Sequence, residues 1–200
     1  MTGRRSTTRS TVRMTALAAA AGLVASTGLV ATSTVAASAA SVQTQYTCAT
    51  ALGDQTMDVA IRLALPKTVK KNRKVAARPV RMSVVLPEPL VTAMRDVLLI
   101  TSLSGSASDL TYSVGSKKVP LKNVTIPSTD VPASGAMTLL AKGTAQGFRL
   151  RKPGRYVVRA PRAFMFAADG QDGQPLPGSP FPCTVATGAP TKMGTIRVVR

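Results

Sequence analysis

Apolar residues recur at every second position in several short stretches of this chain, and this spacing constrains the fold more than any other feature. The clearest case is Met57–Leu65, which has an apolar residue at every odd position until Pro66 ends the run. Side chains of a strand point alternately to two faces, so this pattern predicts a strand with one buried face. Similar runs separated by Pro- and Gly-rich turns predict about seven to nine short strands.

One stretch has a different period. Within Pro87–Leu99, the apolar residues Leu90, Met94 and Val97 are three or four positions apart, which is typical of one face of a helix. We therefore expect one short helix that crosses between sheets. Short antiparallel strands with a single helical insert predict an all-β fold, an immunoglobulin-like sandwich. In such a fold Tyr156 is either a tyrosine corner or a plain strand residue.

The N-terminus has the pattern of an export signal. Met1–Arg13 holds four arginines and no acid, Ala16–Val35 is apolar and small, and Ala37–Ala39 fits a cleavage box. We predict a signal peptide over residues 1–39, a secreted domain over 40–187, and a last strand or loose tail over 188–200. A transmembrane anchor is the alternative, but Ala, Thr, Ser and Gly dilute the apolar stretch. We expect no membrane-spanning segment after cleavage.

Export also decides how the two cysteines are interpreted. Cys48 and Cys183 are the only cysteines in the chain. Outside the cell an even pair is most simply a disulfide, and the chain lacks the Cys-x-x-Cys spacing of a redox pair. We predict a disulfide that joins the first and last core segments.

Composition excludes most catalytic chemistry. The chain has no His, one Glu and two Cys. It therefore cannot form a Ser-His-Asp triad, a His-ligated metal site or a four-thiolate cluster. The sequence predicts a protein that is not an enzyme, with no catalytic residue, no metal and no cofactor.

Positive charge is the strongest surface feature. The chain has 26 Lys and Arg against 8 Asp and Glu, and cleavage would remove four arginines, leaving 22 and a net charge of +14. The candidate anion-binding residues form one acid-free cluster: Lys67, Lys70, Lys71, Arg73, Lys74, Arg78 and Arg81. A second cluster follows: Arg149, Arg151, Lys152, Arg155, Arg159 and Arg162.

Such clusters attract polyanions, and the binding weakens steeply with salt. Polyanions outside a bacterium include teichoic-type polymers, phosphatidylglycerol head groups and DNA. Sequence-specific recognition of nucleic acid is not expected, because aromatics are 4% of the chain and none lies within the first cluster to stack on bases. The alternative is a solvated face that maintains solubility and protects strand edges.

Several segments resemble a family of secreted actinobacterial domains of unknown function. The resemblance rests on the Tyr-Thr-Cys start at Tyr46, on runs such as VVLPEPLVTAMRDV from Val84 and FRLRKPGRYVV from Phe148, and on the closing Cys183. It covers most of Tyr46–Val185, and it implies an immunoglobulin-like domain at the cell surface or outside the cell. It implies no activity.

The sequence thus predicts a secreted interaction module, either released or retained at the cell wall, that captures an anionic envelope polymer. The alternative is a secreted inhibitor or effector that binds an extracellular protein through a loop, either Pro127–Ser134 or Asp169–Pro180. An accessory envelope protein without a ligand is a third possibility. The sequence leaves the oligomeric state open.

Overall fold

A computed structural model describes the backbone of residues 37–200 and the side chains from residue 40 onward. One helix, α1 (Glu88–Asp96), interrupts a succession of strands. The strands are β1 (Ala37–Thr50), β2 (Gly53–Pro66), β3 (Thr68–Lys70), β4 (Lys74–Val75), β5 (Arg78–Leu86), β6 (Ser102–Ser108), β7 (Thr111–Val114), β8 (Lys117–Asp130), β9 (Met137–Ala145), β10 (Phe148–Arg149), β11 (Gly154–Arg159), β12 (Ala163–Asp169), β13 (Phe181–Val185) and β14 (Lys192–Val199). The signal peptide predicted over residues 1–39 lies outside the described residues except for Ala37–Ala39, which begin β1 and pair with β2.

Eight of the strands close into an antiparallel barrel. Around the ring the order is β1, β2, β5, β9, β8, β6, β12 and β13, and β13 pairs again with β1. The seam between β8 and β9 brings Leu121 opposite Ala145, and the seam between β1 and β13 brings Cys48 opposite Cys183. Every strand of the ring therefore has a partner on both sides.

The prediction of an immunoglobulin-like sandwich is wrong, and so is the expected number of seven to nine short strands, since residues 37–200 form fourteen strands and three of them are 14 residues long. Two-residue alternation identifies the buried face of a strand, but a barrel and a sandwich bury one face in the same way. The two architectures differ in whether the outermost strands meet. Here the 14-residue strands β1, β2 and β8 are long enough to coil around the core and to reach both seams.

Apolar side chains fill the barrel. The odd-numbered residues of Met57–Leu65 are buried as predicted, and the even-numbered residues are exposed or only partly buried. A small cavity of about 40 Å³ remains in the core, and apolar side chains such as Ile61, Val124 and Leu139 line it. A void of this size without polar lining is too small for any ligand larger than a few atoms.

Helix α1 covers one end of the barrel. The predicted helix is therefore confirmed, but its predicted course between sheets is wrong, because β5 and β6, which it joins, belong to the same sheet. Leu90, Val91 and Met94 are buried against the barrel interior. Val97, which was expected on the same face, is 68% exposed, because the helix ends at Asp96. The chain then turns at Leu99, whose φ of 53° lies in the left-handed region.

A second sheet leaves the barrel along the first half of β8. Its order is β8, β7, β11, β14 and β3, and only the β14–β3 pair is parallel. Lys192–Val199 is therefore a strand, which answers the question left open for residues 188–200. Tyr156 donates a hydrogen bond from its hydroxyl to the carbonyl of Lys152, at 2.9 Å, as in a tyrosine corner. A Cβ on Gly115 would lie 2.9 Å from Tyr156 Cδ1, so this turn requires glycine.

The disulfide is confirmed. Cys48 and Cys183 are bonded across directly opposed positions of β1 and β13, with their Cα atoms 4.0 Å apart. Both are buried in the barrel core. The bond therefore fixes the first ring strand to the last one in the chain.

Candidate anion-binding surface

Acidic and basic residues lie toward opposite ends of the barrel. We call the end that carries α1 the helix end, and the end that carries the 67–77 connection and the second sheet the basic end. Strand directions place six of the 8 acids at the helix end. They are Asp54, Glu88, Asp96, Asp130, Asp169 and Asp172. Among the described residues, Arg95 is the one cation at that end.

The first predicted cluster is divided by the structure. Lys67, Lys70, Lys71, Arg73 and Lys74 are exposed together at the basic end, in and around β3 and β4. The other two members lie on β5: Arg78 is partly buried, and Arg81 is exposed on the outer wall of the barrel.

The basic end also joins the two predicted clusters. Lys74 lies directly opposite Arg149 in the β4–β10 pair. The backbone N–H of Asn72 donates to the Leu150 carbonyl at 3.0 Å, and the N–H of Lys71 donates to the Val199 carbonyl at 2.7 Å. Segments more than seventy residues apart therefore share one surface.

Cations face each other across strands at this surface. In the second sheet Arg155 is opposite Arg197, and Arg159 is opposite Lys192. Like charges in directly opposed positions destabilise a sheet, because their Cβ atoms are about 5 Å apart. Within residues 37–200 one ion pair forms, between Arg95 and Asp96 at 3.1 Å, and it belongs to the helix end. No acid of the described chain forms an ion pair with a cation of the basic end, although Asp109, in the turn between β6 and β7, lies on that side of the barrel.

The sequence interpretation missed several members of this surface. Lys192 and Arg197 are isolated cations in a segment for which a last strand and a loose tail were both open, and Arg62, on the neighbouring outer wall of the barrel, alternates with the apolar residues of β2. Alternation alone already placed Arg62 on the outer face. Its cationic neighbours, however, come from β5 and β9, and no local pattern specifies that pairing.

The titratable groups with shifted pKa values are buried and therefore do not belong to this exposed surface. Burial raises the pKa of Tyr46 and of Tyr112 well above the ordinary tyrosine value. The Tyr46 hydroxyl donates to the Pro161 carbonyl at 2.6 Å, whereas the Tyr112 hydroxyl has no partner among the described protein groups. Both residues belong to the core. In the described chain no group of three or more His, Cys, Asp or Glu residues is arranged to hold a metal ion.

These features define a disulfide-linked β-barrel domain with a second sheet and a strongly basic end. The chain belongs to a family of unknown function, DUF6801, whose model matches residues 45–194. No curated protein and no solved structure matches the chain. No helix among residues 37–200 is long and apolar enough to cross a membrane.

Proposed function

We propose that this protein is a secreted, non-enzymatic binding module that captures anionic polymers of the cell envelope on its basic end. One observation carries the proposal: cations stand opposite each other in Lys74–Arg149, Arg155–Arg197 and similar pairs, and no acid of the described residues forms an ion pair with them. A bound polyanion would relieve this repulsion and release its own counterions. The buried disulfide suits the oxidising environment of an exported protein.

Because the cations and most of the acids lie at opposite ends, the protein would bind a polyanion in one orientation. A polyanion is attracted to the basic end and repelled by the six acids at the helix end. Of the predicted binding loops Pro127–Ser134 and Asp169–Pro180, the first four residues and Asp169 belong to strands β8 and β12, and the connections 131–136 and 170–180 lie at the helix end. An inhibitor that used these loops would therefore bind its target away from the cations. The two candidate functions therefore use opposite ends of the molecule.

Binding to purified cell envelope over about 50 to 500 mM salt tests the proposal. The test variant removes four charges from the basic end: Lys70→Gln, Lys71→Gln, Arg73→Gln and Lys74→Gln. For the parent we expect the logarithm of the binding constant to fall linearly with the logarithm of the salt concentration. The line of the variant should be less steep by about 3, since each of the four lost contacts contributes about 0.7 to 0.9 to the slope.

A matched control raises the net charge by the same four units at the other end. It carries Asp54→Asn, Glu88→Gln, Asp96→Asn and Asp172→Asn. If the basic end is the binding surface, this control keeps the parent slope. Equal and opposite changes in the two variants would show that net charge alone attracts the polymer. Binding that persists at high salt and is unchanged in the basic-end variant would reject the proposal in favour of a protein partner at a loop.

A further inference from the structure

An open groove runs along the outer wall of the barrel, apart from the cluster at the basic end. Its floor is the outward face of β1, β2, β5 and β9, and the connection Thr187–Pro190 forms one side. The groove encloses about 1260 Å³, roughly thirty times the core cavity. It is large enough to hold a segment of a polymer.

Three cations form a row across one part of this groove. Arg62 is directly opposite Arg81, and Arg81 is directly opposite Lys142. All three are exposed and line the groove, while their neighbours along each strand point into the core. Adjacent strands are about 4.8 Å apart, so the row places three positive charges within about 10 Å. No acid among residues 37–200 forms an ion pair with it.

Further along the same floor, the lining changes to hydrogen-bonding groups without a cation. Gln45 donates from Nε2 to Asp58 Oδ1 at 2.9 Å, which leaves Asp58 Oδ2 and the side-chain Oε1 of Gln45 as acceptors. Asp58 lies four residues before Arg62 on β2, a separation of about 13 Å. Gln43 and Ser83 line the floor between these two places.

We propose that this groove is a binding site for a hydroxylated polyanion, a polymer whose units carry hydroxyl groups and a phosphodiester or a carboxylate. The cation row takes an anionic group, and the Asp58–Gln45 pair accepts hydrogen bonds from hydroxyl groups. The Asp58 carboxylate disfavours polymers that are anionic throughout, so the groove adds specificity to the attraction that the cation row provides. Among the described residues no aromatic side chain lines the groove, so these residues offer nucleic-acid bases no ring to stack on.

This proposal rests on the proposed function and names the ligand class that the barrel wall selects. The test measures the affinity of the purified protein for three labelled probes of equal charge. They are a glycerol phosphate oligomer, a galacturonate oligomer and inorganic polyphosphate, and only the last has no hydroxyl groups along its length. Comparison of the first two tells a phosphodiester ligand from a carboxylate ligand.

Two triple variants remove the same charge from different places. The groove variant carries Arg62→Gln, Arg81→Gln and Lys142→Gln, and the basic-end variant carries Lys70→Gln, Lys71→Gln and Lys74→Gln. We expect the groove variant to lose about tenfold more affinity for a hydroxylated probe than the basic-end variant does. For polyphosphate the basic-end variant should lose at least as much affinity as the groove variant. Thermal unfolding checks that each variant keeps the parent fold.

Asp58→Ala separates hydrogen bonding from charge. We expect it to weaken binding of a hydroxylated probe about fivefold, because a hydrogen-bond acceptor is lost. It should strengthen binding of polyphosphate, because a negative charge is removed. Equal losses in the two triple variants with every probe, or stronger binding of every probe by Asp58→Ala, would overturn the groove and leave general polyanion capture intact. Absence of binding by the parent at low salt would instead reject the proposed function.

Discussion

Two buried tyrosines, one in the barrel and one in the second sheet, provide a matched test of how polar groups are accommodated in the core. Tyr46 and Tyr112 are each 1% exposed, and each contacts a phenylalanine ring edge-on. They differ at the hydroxyl group, because Tyr46 donates to the Pro161 carbonyl at 2.6 Å and Tyr112 has no partner among the described protein groups. Replacing each tyrosine with phenylalanine removes one oxygen atom and leaves the ring in place.

The expected effects have opposite signs. Tyr46→Phe leaves a carbonyl unsatisfied, so we expect it to reduce the free energy of unfolding by about 1 to 3 kcal/mol. Tyr112→Phe removes a buried hydroxyl that gains no hydrogen bond, so we expect it to be neutral or to stabilise the fold by about 1 kcal/mol. The difference between the two variants should exceed about 1 kcal/mol.

Urea unfolding followed by circular dichroism measures both values, provided that the slope with denaturant stays at the parent value. The reasoning is wrong if Tyr46→Phe is as stable as the parent. It is also wrong if Tyr112→Phe is the more destabilised of the two, since the Tyr112 hydroxyl would then have a partner that the core geometry does not show.

Four further predictions concern the stability of the fold. Replacing Cys48 and Cys183 with alanine should lower the free energy of unfolding by about 5 kcal/mol in the chain-entropy model, because the closed loop spans 135 residues; urea unfolding of the reduced parent is the control. Gly143→Ala should cost about 1 to 3 kcal/mol, since its Cβ would lie 2.6 Å from a Val124 methyl group at the β8–β9 seam, and a parent-like melting temperature would contradict this close approach. Leu99→Gly should stabilise the fold by about 1 kcal/mol by relieving a left-handed residue that is 70% exposed, and an unchanged urea midpoint would argue against strain there. Burial of Tyr46 and Tyr112 should make stability fall as the pH rises above about 10, because the unfolded chain then loses tyrosine protons that burial retains in the fold. Urea midpoints between about pH 8 and 11.5 measure this fall, and Tyr112→Phe should reduce it.

Local patterns identified the elements but not the way in which they close. The alternation in Met57–Leu65 correctly gave β2 and its buried face, and the spacing within Pro87–Leu99 gave the helix. Closure of the ring depends on which strands pair. The alternation of apolar residues does not specify that β1 pairs with β13 or that β8 pairs with β9. Gly143 is the one sequence feature that reflects the β8–β9 pairing, because its missing Cβ lets β8 approach β9 closely. A glycine within a strand is equally typical of a bulge or a bend, so this one residue does not predict a barrel.

The same limit applies to the candidate site. A run of cations such as Lys67–Lys74 is visible in sequence, and the structure does place it on an exposed surface. The row formed by Arg62, Arg81 and Lys142 is not visible, because its members are separated by 19 and 61 positions and meet only through strand register. Their outward orientation could be derived from alternation, but their adjacency could not.

The ring also sets an order of events during synthesis. β1 is made first, and one of its two neighbours, β13, lies more than 130 residues later in the chain. Until Phe181–Val185 has emerged, β1 presents an open edge that can pair with another chain. The ring therefore closes late, through a contact between residues far apart in the sequence, and we expect the barrel to fold slowly. A chaperone that covers strand edges would have a defined period in which to act.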